Sequence, residues 1–195
     1  MARTKEFDEA AVVEAALMVF WELGYDGASM ADLLPATGLS RSSLYETFGD
    51  KRGLFLRTVE AYAARSTETR RKAFATPERL PESLATYLRS RVEALANPEG
   101  HPAGCYFTAI SATLKTADAE LRDLVLGLTR HSEEEMLDGF ARALASGSIA
   151  SRATAKEWTA LFLGLVWGLN VASRMGRDRA VMDDMVSGFL AALAP

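Results

Sequence analysis

The sequence predicts an all-α protein: an N-terminal three-helix unit of helix-turn-helix type, followed by a larger helical domain. Three observations carry that prediction. Apolar residues recur at helical spacing along nearly the whole chain, and no strand-like alternation persists. Glycines and prolines fall mostly between the periodic segments. Residues 29–50 hold two short helices, each opened by a capping residue, with Thr37-Gly38 between them. No internal repeat or low-complexity tract interrupts the pattern.

The first helix is predicted over residues 8–23, with Val13, Ala16, Leu17, Phe20 and Leu23 on one side and Gly24 placed to end it in a left-handed cap. Ser29 opens the second helix, and Asp32 completes a capping-box pair. Met30, Leu33 and Leu34 supply its buried side. Ser40 opens the third, where Leu39 before the cap and Leu44 four places after it form a hydrophobic staple. Neither short helix is stable alone, so the first must supply their common core. Asp50 caps a fourth helix that turns Leu54, Phe55, Val59 and Tyr62 inward and runs on into the polar stretch RSTETRRKA. Pro77 and Pro81 break the chain after it, with Pro81 in the first turn of the next helix.

Leu84, Leu88, Val92 and Leu95 mark the fifth helix, and NPEGHPAG reads as a loop. Helices follow over residues 104–115 and 118–146, the second with Leu121, Leu124, Leu128, Phe140 and Leu144 inward and Gly147 at its end. The last two are predicted over residues 153–174 and 178–193, separated by Gly176. Trp158, Leu161, Phe162, Leu165, Val166 and Leu169 form the apolar side of one, and Val181, Met185, Phe189 and Leu193 that of the other. Together they hold more apolar surface than one packing partner each requires. Gly164 and Gly168 cost about 1 kcal/mol each relative to alanine, which close contact with a second copy offsets. A two-fold homodimer interface uses both features; a monomer core is the simpler alternative. The expected division is residues 1–50 and 51–195.

Composition narrows the function classes. The single cysteine, Cys105, excludes an intramolecular disulfide and suits a reducing, cytoplasmic setting. The start MARTKEFDEAAVV has no apolar signal-peptide core. The uncharged run over residues 159–173 is too short to span a membrane. With 22 basic and 26 acidic residues, a formal charge of −4, the chain does not coat nucleic acid through bulk charge. A site-specific binder with a local basic patch remains open.

Such a patch lies in GLSRSSLYETFGDKRGLF, residues 38–55. In the third helix Leu44 faces inward, which leaves Arg41, Ser42 and Ser43 outward at the leading end. Arginine reaches guanine O6 and N7 in the major groove, and serine bonds bases or phosphates. Tyr45 is placed to offer its hydroxyl to a phosphate. Lys51 falls in the first turn of the fourth helix, where the macrodipole disfavours a cation by about 0.3–1 kcal/mol unless an anion sits there. Ser29 offers an equivalent amide-and-hydroxyl clamp. Residues 1–57 hold six basic and nine acidic side chains, yet residues 39–57 carry Arg41, Lys51, Arg52 and Arg57 against Glu46 and Asp50, a balance of +2. Arg3 and Lys5 add contacts from an N-terminal arm. An ordinary capped, solvated turn is the bland alternative.

Residues 10–62 resemble the N-terminal domain of the TetR family of bacterial transcription regulators. The specific match is Leu44-Tyr45-x-x-Phe48-x-x-Lys51-x-x-Leu54 preceded by TGLS. The resemblance implies an all-helical homodimer, usually a repressor, docked on a palindromic double-stranded DNA operator, with an effector pocket in the C-terminal helices. It places the base-reading and phosphate roles on Arg41, Ser42, Ser43 and Tyr45, the first-turn lysine on Lys51 and the second-helix phosphate contact on Ser29. Ala28 departs from the threonine of many relatives, so Ser29 carries that role alone.

In the C-terminal part, Phe107, Trp158, Phe162, Trp167, Asn170 and Met175 are the candidate lining of a pocket for a small apolar or aromatic effector. Cys105, at the start of a helix, is a candidate redox or electrophile-reactive thiol, set against a small buried hydrophobe. His101 and Cys105 have metal-compatible spacing, and His131 lies near Glu134 and Glu135, but no second cysteine or tight cluster supports a metal. No phosphate-binding glycine loop and no nucleophile–histidine–carboxylate set is present, so neither an enzyme nor a cofactor is expected. The competing function is a ligand-binding or interaction protein of the same fold without operator binding. Covered or displaced Arg41 and Lys51 would favour it.

Overall fold

The Asp8 carboxylate accepts the Ala10 amide at 2.9 Å and opens α1, Glu9–Gly27. Local capping of this kind sets most of the element boundaries in the computed structural model, which describes residues 7–97, 102, 104–111 and 119–193. The Arg3 and Lys5 arm, His101 and residues 112–118 lie outside the described residues. The further helices are α2 (Met30–Thr37), α3 (Arg41–Phe48), α4 (Lys51–Ala73), α5 (Leu80–Ala96), α6 (Tyr106–Ser111), α7 (Ala119–Ser146), α8 (Ala155–Arg174) and α9 (Arg179–Leu193). A single 3-10 turn, Pro77–Arg79, joins α4 to α5. The all-α prediction holds across the described residues.

The short N-terminal helices are held by their caps. The Asp32 carboxylate accepts both the Ser29 amide at 2.8 Å and the Ser29 hydroxyl at 2.6 Å. Ser40 Oγ accepts the Ser43 amide at 3.1 Å, and Asp50 accepts that of Gly53 at 2.8 Å. Gly38 ends α2 in the left-handed region, as Thr37-Gly38 predicts. Gly24 has positive φ but an extended ψ of 171°, so it kinks α1 and the chain resumes one more helical turn to Gly27. Pro35 lies inside α2, against the expectation that prolines separate elements. A proline there removes a helix hydrogen bond, which keeps this segment to two turns.

Two hydrophobic clusters follow. The first joins α1, α2 and α3 to the first half of α4, and also takes in Tyr106, Ala109 and Ile110 of α6 and Leu121 and Val125 of α7. The second joins the end of α4 to α5, α8, α9 and the C-terminal half of α7. Helices α4 and α7 therefore run through both. Three expected inward leucines are instead exposed. Trp21 and Gly24 continue the buried stripe of α1, leaving Leu23 beside it. Val125 takes the place assigned to Leu124. Leu161, 55% exposed, lies on the outer side of α8, while Trp158 and Phe162 face the core.

Within the first cluster, the contact of α6 with α1 and α4 is aromatic. Phe55 meets Phe20 edge-on at 5.0 Å and Tyr25 at 4.7 Å, and Tyr106 lies 5.4 Å from Tyr62. The Thr58 hydroxyl donates to the Phe55 carbonyl at 2.6 Å, so its one proton is used. Tyr106 must then be the donor in its own 2.6 Å bond to Thr58. Burial pushes the Tyr106 hydroxyl well above the ordinary tyrosine range and keeps it a neutral donor. Tyr106→Phe is expected to lower stability by about 1 kcal/mol and the melting temperature by roughly 2–4 °C. Thermal unfolding followed by circular dichroism tests this, and an unchanged midpoint would contradict it.

Candidate DNA-binding face and effector cavity

Helix α3 buries Leu44 and Phe48 and turns its leading end to solvent. Arg41, Ser42 and Tyr45 are exposed, and Ser43 is half-buried. Arg41 and Tyr45, four positions apart, share one face. Neither has a hydrogen bond or ion pair among the described residues. The hydroxyls of Ser42 and Ser43 lie 2.9 and 2.8 Å from Ser40 Oγ. Two such bonds use two of the three serine protons, so one donor is left for an outside acceptor.

Lys51 is the first residue of α4, as the spacing predicts, and its ammonium sits 4.7 Å from the centre of the Tyr25 ring. The cation is thus held beside the free amides of the helix start. Gly53 explains the tight entry: a Cβ at this position would lie 1.8 Å from the Phe48 carbonyl oxygen, so only glycine lets α4 begin against the end of α3. Ser29 is exposed at the head of α2, but its hydroxyl proton is committed to Asp32. The Ser29 hydroxyl and amide hold the Asp32 carboxyl below its ordinary range, so a negative charge stays at this helix start. Arg52 and Arg57 contribute less than the charge count suggests. Arg52 pairs with Glu120 at 2.9 Å, and Arg57 with Glu9 at 3.2 Å. Their partners lie outside residues 39–57, where a local tally does not see them.

Between α4, α5, α6, α7 and α8 lies a cavity of about 360 Å³. Four expected residues line it: Phe107, Phe162, Trp167 and Asn170. Two do not. Trp158 is buried in the core between Phe140 and Phe189, and Met175 is 70% exposed near the end of α8. Helical spacing places apolar residues on a face without saying whether that face meets a core, a cavity or solvent. Cys105 also lines the cavity, with its sulfur 3.3 Å from the Tyr62 hydroxyl, which donates to it. Gly104 makes this position reachable: φ is +91°, and a Cβ would sit 2.8 Å from Arg174 Cγ, so a side chain there would push the segment off α8.

Sequence reasoning missed Arg91, which comes from α5 and lines the same cavity. Its guanidinium donates to Asn170 Oδ1 at 2.8 Å, and Asn170 is completely buried. Arg70, also in the wall, donates to Ser132 at 2.7 Å and pairs with Glu135 at 3.3 Å, while its Nε is buried without a partner. His131 and Glu135 are 3.8 Å apart on α7. Among the described residues no three His, Cys, Asp or Glu side chains come together as a metal site, and no helix is long and apolar enough to cross a membrane.

Residues 12–58 match the family described as "Bacterial regulatory proteins, tetR family", and residues 80–189 match "Tetracyclin repressor-like, C-terminal domain". The chain belongs to the TetR family. As a TetR-family protein it is a transcriptional regulator and not an enzyme. It is 34% identical to the uncharacterized HTH-type transcriptional regulator YezE of Bacillus subtilis over 149 residues, 76% of each chain. It is 25% identical to the HTH-type transcriptional repressor ComR of Escherichia coli, over 89% of this chain and 83% of that one. Its fold superposes on a cysteine-substituted form of the TetR-family regulator CifR complexed with 26-base-pair operator DNA, with a TM-score of 0.86 and 27% identity over 97% of this chain and 99% of that one.

Proposed function

We propose that this TetR-family regulator is a homodimeric repressor. The leading end of α3 in each protomer enters the major groove of a palindromic operator, and a small molecule in the cavity releases it. The observation that carries the DNA-binding part is the exposed, unpartnered Arg41–Tyr45 face flanked by Lys51 at the start of α4. Arg41 and Ser42 read base edges, while Tyr45 and Lys51 grip phosphates; the Ser29 amide and hydroxyl already serve Asp32. The operator complex of CifR, a relative of the same length and fold, supports this docking. A fold member that had lost DNA binding would have no reason to keep this face uncovered.

The dimer surface is the outer side of α8. Leu161, Gly164, Val171 and Met175 recur along it, and Leu161, Val171 and Met175 are exposed, while Gly168 is covered by Met185 of α9. An apolar stripe of this length is covered in a stable assembly. Sedimentation equilibrium at micromolar concentration is expected to give a dimer, and a monomer would contradict this assignment. Coupling from cavity to DNA runs through α4 and α6. One side of α6 carries Phe107 into the cavity wall, and the other carries Tyr106, Ala109 and Ile110 into the N-terminal core. A ligand that displaces α6 or α4 changes the separation of the two α3 helices, which must be about 34–36 Å to enter successive grooves.

Cys105 supports a second reading, in which the cavity captures an electrophile. Its sulfur lies in the wall, and Tyr62, kept neutral by burial first and by Cys105 second, donates to it. Intact mass spectrometry after iodoacetamide treatment of the folded protein is expected to show one adduct on this reading. No adduct under conditions that label the unfolded chain would leave Cys105 a packing residue.

The principal reading is tested by salt titration on a selected operator. Arg41→Ala is expected to cost about 1–3 kcal/mol and relax base preference at one position. Lys51→Ala is expected to weaken binding to all sequences alike and lower the salt slope by about one contact. Ser29→Ala should cost less than either, because its hydroxyl already serves Asp32. Identical salt slopes for wild type and the lysine variant would remove Lys51 from the phosphate contacts.

A further inference from the structure

Arg91 is a cation in the wall of a cavity, and no carboxylate pairs with it among the described residues. Arg70 in the same wall has Glu135. The groups around Arg91 are Asn170, Tyr87, Cys105 and Tyr62. Its Nε is shielded from solvent and has no hydrogen-bond partner. Asn170 is in the same condition. Its Oδ1 accepts from Arg91, which sets the orientation of the amide, and its Nδ2 is buried with no acceptor. Two neighbouring side chains, one of them charged, thus leave donors unused in the wall of a mostly apolar cavity. Buried donors and buried charges are normally satisfied, and a site built this way is costly unless something fills it.

The missing group is an acceptor, and a monoanion matches one guanidinium. A planar carboxylate meets the guanidinium fork with two parallel hydrogen bonds. Aromatic and aliphatic walls from Phe107, Phe162 and Val166 accept an apolar body. At about 360 Å³ the space suits a compact ligand. Glu133 lines the α7 side, so an anion is repelled there and directed toward α5 and α8. The geometry points to an effector with a small aromatic or aliphatic body ending in a carboxylate, which pairs with Arg91 while Asn170 holds the guanidinium in place. This rests on the effector-cavity reading above and specifies the class of ligand.

The test is calorimetric titration of the purified full-length protein with 3-phenylpropanoate and octanoate, each paired with its neutral primary amide. The wild type is expected to bind at least one acid about ten-fold or more tighter than its amide, the loss of one charge-assisted hydrogen bond. Arg91→Met should abolish that preference and leave amide binding unchanged, and Arg91→Lys should keep part of it. Asn170→Asp supplies Arg91 with an internal counter-charge, so it should bind neither acid preferentially and should melt higher than the wild type. This last variant keeps the inference testable if Arg91→Met fails to fold. Equal binding of acid and amide, no acid binding at millimolar concentration, or an acid preference that survives Asn170→Asp would overturn it. Operator binding is measured separately on the same preparations. An acid preference in a protein that binds no DNA would sink the repressor reading and leave this inference standing.

Discussion

The bond from the Tyr106 hydroxyl to Thr58 ties α6 to α4 inside the core that also holds α1, α2 and α3. It is buried, short and unable to reverse its donor, because Thr58 has spent its proton on the Phe55 carbonyl. Around it a chain of ring contacts runs from Tyr25, under the Lys51 ammonium, through Phe55, Tyr106 and Tyr62 to Phe107 in the cavity wall. Helices of eight residues such as α2 and α3 have no stability of their own. Their direction is whatever this core imposes. The outward aim of Arg41 and Tyr45 is therefore a property of packing well behind α3, and a change at the cavity has a contiguous, close-packed route to it.

The electrostatics follow the same division. An acidic chain binds a polyanion only where geometry concentrates a few cations, and here the protein spends some of its cations inside itself. Arg52 ties α4 to α7 through Glu120, Arg65 ties α4 to α1 through Glu14, and Arg57 reaches Glu9. These exposed pairs add little stability individually. Their effect on the charge pattern is larger, because they engage three arginines internally, while Arg41 has no ion pair among the described residues. For the proposed operator binding, weak nonspecific affinity and dependence on matched contacts follow.

Local chemistry was legible from the residues; convergence was not. Caps at Ser29, Ser40 and Asp50 and the breaks at Gly38, Gly147 and Gly176 announce themselves within a few positions, and the structure places each where the spacing predicts, whereas Gly24 kinks α1 rather than ending it. The Leu39–Leu44 staple is equally local, and both residues are buried. Trp158 and Met175 misled because an apolar residue at helical spacing looks the same whether it faces a core, a cavity or solvent. Arg91 escaped notice because a lone arginine on a polar helix face ordinarily marks solvent, and its partner Asn170 comes from α8, 79 positions along the chain. Arg52 reads as part of a basic surface until Glu120, 68 positions away, is seen to hold it.

On the proposed function, α3 is a rigid, outward-facing reader whose two copies are spaced by the dimer. Binding-site selection from random duplexes with the purified protein, read by sequencing, addresses that claim most directly. The account predicts an enriched inverted repeat with half-site centres one helical turn of DNA, or a small multiple of it, apart. Recovery of no enriched sequence, or of a single unpaired half-site, would contradict it.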